Sequence, residues 1–76
     1  MTKLLDILAE IRPGFDFAGS QDFFEEGILD SFDLVTLVSD LDKAYGLSID
    51  GMDIVPDNFK SVAAIEAMLI RSGVTP

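Results

Sequence analysis

Gly27-Ile28-Leu29-Asp30-Ser31-Phe32-Asp33-Leu34 decides how this chain is read. A glycine-led stretch ends in an Asp-Ser pair, and an amphipathic helical pattern begins directly behind it. Leu34, Leu37, Val38, Leu41 and Tyr45 follow the i, i+3, i+4, i+7, i+11 spacing, with Phe32 and Val35 widening the stripe, which predicts a helix over 31–45. Asp30 and Ser31 are both residue types that cap helices, so either can take the first-turn N–H groups. Ser31 also has a second use. At a helix N-terminus the free N–H groups and the positive end of the dipole favour a phosphate ester on a serine hydroxyl.

Working outward, Gly46 fits the residue just past the end of that helix, where a left-handed backbone costs glycine little. Upstream, Thr2 is a candidate cap for a first helix running to about Ile11, with Leu4, Leu5, Ile7, Leu8 and Ile11 on one face. Pro13-Gly14 ends it. Residues 12–30 then form a connection of roughly nineteen residues, long for a small domain unless side chains anchor it. Phe15, Phe17, Phe23 and Phe24 are the expected anchors, laid over the helix interface. Downstream, Asp50-Gly51 marks a turn. A short third helix falls either on Met52-Asp53-Ile54-Val55, ended by Pro56, or on Pro56-Asp57-Asn58-Phe59 itself. Ser61 is a good cap for a last helix from Val62 to about Arg71, stopped by Gly73. The expected fold is all-α, a small four-helix bundle of three main helices and one short one, built as a single domain over residues 1–76.

Composition narrows the function. The chain has 76 residues, no cysteine and no histidine, and nearly half its residues are hydrophobic. Disulfides, a Cys/His zinc site and nucleophile–base pairs built on cysteine or histidine are therefore excluded, and stability rests on packing. Fourteen acids against five bases give a net charge of −9. Such a surface repels nucleic acid and anionic membranes and suits partners with basic docking surfaces. Crowded carboxylates are expected to titrate above their usual range. No apolar run approaches the ~20 residues of a membrane span, and the start of the chain lacks a secretory pattern, so the reading is a cytoplasmic monomer. Asp40, Asp42, Asp50 and Asp53 could suggest a calcium loop. Counted from Asp40, however, the loop would have Tyr45 where an EF-hand needs glycine and Gly51 where it needs glutamate, so no metal site is assigned.

The stretch from Phe24 to Val35 resembles the attachment region of acyl and peptidyl carrier proteins, whose D-S-[LFM] motif carries 4'-phosphopantetheine on its serine. Leu37, Val38, Leu41 and Tyr45, then Gly46-Leu47-Ser48-Ile49, are similar to that family's second helix and the link after it. Val55 to Ile65 is similar to the entry into its last helix, so the resemblance spans Phe23 to Leu69. It implies a bundle of acyl-carrier type, not an enzyme, with a phosphopantetheine arm taken from coenzyme A by a phosphopantetheinyl transferase. The arm would sit on Ser31, with Asp30 beside it, and hold an acyl or aminoacyl group as a thioester.

The resemblance further implies an apolar sheath of Leu37, Val38, Leu41, Ile54, Phe59, Ile65 and Met68, although a small domain needs such side chains as plain core. It implies docking of an activating ligase and downstream transferases on Glu25, Glu26, Phe32, Asp33 and Thr36, with Asp33 exposed at an acidic position of the recognition helix. Fatty-acid members usually carry more acids along this helix. Thr36, Ser39 and Lys43 here point instead to a specialised-pathway carrier or a D-alanyl or aminoacyl carrier, whose GxLDS-type motif this one also resembles. The competing reading is an acidic helical interaction module with no covalent cofactor, Ser31 being only a cap.

Overall fold

The computed structural model describes residues 3–76, so Thr2, the expected cap of the first helix, lies outside the described residues. Four α-helices follow in chain order: α1 Lys3–Ile11, α2 Ser31–Tyr45, α3 Pro56–Phe59 and α4 Val62–Arg71, with 3-10 turns at Phe17–Gly19 and Gly51–Asp53. The described residues contain no strand, as expected of an all-α bundle.

α1 buries Leu4, Ile7 and Leu8, and α2 buries Leu37, Val38 and Leu41, the stripes that the helical spacing marked. α4 contributes Ile65, Met68 and Leu69 to the same core, and α3 contributes Phe59. Each such side chain taken fully out of water is worth about 1.5–3 kcal/mol. Two polar links show that α1 and α2 run antiparallel. Lys3 Nζ donates to the carbonyl of Ala44 at 3.1 Å, joining the start of α1 to the end of α2. Arg12 Nη2 meets Asp33 Oδ2 at 2.8 Å, joining the end of α1 to the start of α2. The Lys3 ammonium also lies 4.9 Å above the Tyr45 ring. The Tyr45 hydroxyl is buried without a hydrogen-bond partner among the described residues. Burial, with the Glu66 carboxylate adding to it, pushes the phenol pKa up.

The long connection is anchored as its aromatics suggest. Phe17 and Phe23 are buried, Phe15 and Phe24 partly so. Phe15, Phe17 and Phe23 form a chain of edge-to-face contacts with ring centroids 4.9 and 5.0 Å apart. Backbone bonds complete the anchor: Phe23 N–H donates to the Lys60 carbonyl at 2.6 Å, and the Phe23 carbonyl accepts from Ile28 and Leu29. The chain therefore reaches α2 from a fixed point.

The short helix resolves in favour of Pro56-Asp57-Asn58-Phe59. Gly51–Asp53 makes only a 3-10 turn, and Val55 is the extended residue before α3. Pro56 starts that helix rather than ending one, because the first helical position needs no N–H and its fixed φ suits the turn. Gly46 takes the expected left-handed backbone, with φ 66°, at the end of α2. No helix of the described residues is long and apolar enough to cross a membrane.

Candidate functional site

The start of α2 is a closed hydrogen-bond device. Asp30 is extended and caps the helix: its carboxylate accepts the Asp33 N–H at 3.0 Å, while the Asp33 carboxylate accepts the Asp30 N–H at 3.2 Å. This reciprocal box satisfies two otherwise orphaned donors. The choice that the sequence left open is thereby made. Asp30 is the cap, and Ser31 is the first helical residue. The Ser31 side chain is exposed and makes no hydrogen bond among the described residues.

Asp33 departs from its expected exposure. Its carboxylate binds both the Asp30 N–H and the Arg12 guanidinium, and its side chain keeps only 14% of its accessible surface. Arg12 also donates to the carbonyl of Ile11 at 3.0 Å, so a cation sits at the negative end of α1 and an anion at the positive end of α2. Phe32 and Val35, expected to widen the buried stripe, point outward instead and are 85% and 67% exposed. Phe32 is thus available at the surface as a docking residue requires, and Thr36 is exposed beside them. Upstream, Asp22 accepts the N–H groups of Phe24 and Glu25, and the Glu26 carboxylate accepts the Ser20 hydroxyl at 2.7 Å and the Asp22 N–H. The Glu25 carboxylate has no partner among the described residues.

Crowding does not lift Asp30 and Glu26. The Asp33 N–H holds the Asp30 carboxyl below its ordinary range, and the Ser20 hydroxyl does the same for Glu26, helped by Asp22. Both contributions to stability are full above the unfolded values of 3.8 and 4.5 and are lost as pH falls through the lower folded values. Urea melts of wild type, Asp30→Asn and Glu26→Gln at successive pH values test this. The gap to wild type should hold steady near neutrality and narrow in acid. A gap that widens on acidification contradicts the assignment.

Six of the seven suggested sheath residues, Leu37, Val38, Leu41, Phe59, Ile65 and Met68, are buried against one another as core, and Ile54 is partly buried. An open apolar groove of about 200 Å³ lies elsewhere, between α1 and the long connection, lined by Leu5, Ala9, Phe15, Asp16, Phe17 and Ala18. Residues that the sequence alone did not single out are Arg12 and Asp22; Asp42, weighed above only as a calcium ligand, instead uses its carboxylate to accept the Ile49 N–H at 3.0 Å from the last turn of α2. A base just past a helix end is a sequence-visible sign for Arg12. Nothing local announces its partner.

The sequence model of the PP-binding family, described as phosphopantetheine attachment site, matches residues 2–69 of the 76. The chain belongs to that family. It is therefore a carrier protein that holds 4'-phosphopantetheine covalently, a substrate of phosphopantetheinyl transferase and not itself a catalyst. The carrier reading displaces that of an interaction module without a cofactor. No curated protein and no solved structure gives a significant match. The start of α2 fits the group: a free, exposed hydroxyl stands at the positive end of a fifteen-residue helix, with the Arg12 guanidinium bonded to the carboxylate two residues on.

Proposed function

We propose that Ser31 is the attachment point of the phosphopantetheine arm and that residues 1–76 work as one carrier domain for an acyl or aminoacyl group. The observation that carries this reading is the division of labour between neighbours. Asp30 does the capping, so the Ser31 hydroxyl is left free for modification without loss of the helix start. When attached, the arm supplies a terminal thiol that holds cargo as a thioester. The chain's own residues hold the helix start in place and offer a face to visiting enzymes: Phe32 and Thr36 from α2, Glu25 and Glu26 from the turn before it. Partners are the transferase, an activating ligase and downstream acyl or aminoacyl transferases. A carrier meets them in succession, so contacts should be small, charge-steered and quickly released. Exposed Thr36, Ser39 and Lys43 along α2, in place of a row of acids, support a specialised-pathway or aminoacyl carrier over a general fatty-acid one.

The test is intact-mass analysis with peptide mapping after incubation with coenzyme A and a broad-specificity phosphopantetheinyl transferase. Wild type should gain one phosphopantetheine, located on Ser31, and Ser31→Ala should gain none. Because Ser31 is not the cap, Ser31→Ala should melt within about 0.5 kcal/mol of wild type, as surface substitutions do. Modification of Ser20, Ser39 or Ser61, or no modification of wild type, overturns the assignment.

A further inference from the structure

Four acids, Glu25, Glu26, Asp30 and Asp33, flank Ser31 in sequence, and three of them have carboxylates bonded to other groups of the chain. Glu26 is bonded to Ser20 and Asp22, Asp30 to the Asp33 N–H, and Asp33 to Arg12 and the Asp30 N–H. The engagement of Asp33 differs in kind, because its partner is a full opposite charge. Among the described residues Arg12–Asp33 is the only ion pair, on a chain with five bases against fourteen acids. Arg12 is also held in place, with Nη1 on the Ile11 carbonyl and Nη2 on Asp33.

We propose that Arg12 is a positioning residue for docking: it masks Asp33 and so weakens the pull of the Ser31 face on basic partner surfaces. The inference rests on the Ser31 reading above and adds a residue from another element to its face. Of these four acids only Glu25 has a carboxylate without a partner among the described residues, and the outward surface at the start of α2 carries apolar Phe32 and Val35. Both contacts fall on Asp33 Oδ2, so a partner's lysine or arginine that approaches Oδ1 meets a carboxylate whose charge Arg12 already offsets. Removing Arg12 frees that carboxylate for a direct pair, while the box with Asp30 keeps α2 started.

The test is phosphopantetheine transfer from coenzyme A to the full chain by a transferase with a basic docking surface. Wild type, Arg12→Gln, Arg12→Lys, Asp33→Asn and the Arg12→Gln/Asp33→Asn double variant are compared, each confirmed folded by its melt. At about 0.02 M salt, Arg12→Gln should lower KM about threefold with kcat unchanged, and the ratio should close toward one by about 0.5 M. Arg12→Lys should behave as wild type. In the Asp33→Asn background the same change should lower KM by less than half as much, since no carboxylate is released there. Wild-type KM should rise with salt less steeply than that of Arg12→Gln.

An unchanged or raised KM in folded Arg12→Gln overturns the proposal, as does an equal effect with and without the Asp33 carboxylate. A salt dependence of wild-type KM as steep as that of Arg12→Gln also overturns it. Those outcomes leave the Ser31 assignment standing. Failure of wild type to be modified at Ser31 overturns both.

Discussion

Phe23→Ala is expected to remove about 3–5 kcal/mol of folding stability, the usual cost of truncating a buried phenylalanine. A chain of this length has roughly 4–11 kcal/mol in total, so the variant should sit at the edge of unfolding in buffer. The reason is architectural. Phe23 has no accessible surface, and its ring closes the edge-to-face chain with Phe17 and Phe15. Its backbone joins the long connection to the α3–α4 junction through Lys60 and collects the N–H groups of Ile28 and Leu29 on the way to α2. Truncating this ring therefore opens a cavity at the point where the connection is tied to the rest of the fold. Urea unfolding followed by far-ultraviolet circular dichroism measures the loss. Phe24→Ala, at a half-buried neighbour, is the comparison and should cost roughly 1–2 kcal/mol. If Phe23→Ala costs no more than that, the loop is not anchored by this side chain.

The same particulars show what sequence can and cannot reveal in so small a fold. The bounds of α2 and α4 follow from local rules, helical spacing closed by Ser61 before one and Gly46 after the other. The short helix was ambiguous because proline both stops helices and starts them. Asp53 and Val55 around a 3-10 turn do not announce which role Pro56 takes. Phe32 and Val35 fit the apolar spacing but lie at its margin. An apolar residue at a stripe's edge can face either way, and these two face outward.

At the candidate site the helix start was legible and its wiring was not. Asp30 and Ser31 are both capping types, and only backbone geometry says which one caps. The exposure of Asp33 was misread for a different reason. A residue in the first turn on the polar side is exposed unless something distant covers it, and Arg12 lies 21 positions away in sequence. Net charge misleads similarly at Asp30 and Glu26, where short-range hydrogen bonds from N–H and O–H donors outweigh diffuse repulsion in water.

That wiring gives Asp33→Lys an expected cost of about 2 kcal/mol, twice or more what an exposed first-turn acid would show. Three losses coincide. The Asp30 N–H loses its acceptor, a cation replaces an anion at the positive end of α2, and the new ammonium faces the Arg12 guanidinium. Asp33→Asn separates these effects, because its amide oxygen can still accept from Asp30 and only the ion pair goes. Arg12 is 46% exposed, so that pair is screened and should contribute about 0.5 kcal/mol. A double-mutant cycle over Arg12→Gln and Asp33→Asn measures it directly. Wild type, Asp33→Lys, Asp33→Asn, Arg12→Gln and the double variant would be unfolded in urea under one set of conditions. Asp33→Lys within half a kcal/mol of wild type would mean that the box does not hold the helix start. Because Asp33→Lys damages folding and docking together, slower loading of that variant is informative only where it remains folded. Arg12→Gln, which leaves the box intact, is the substitution that separates the two.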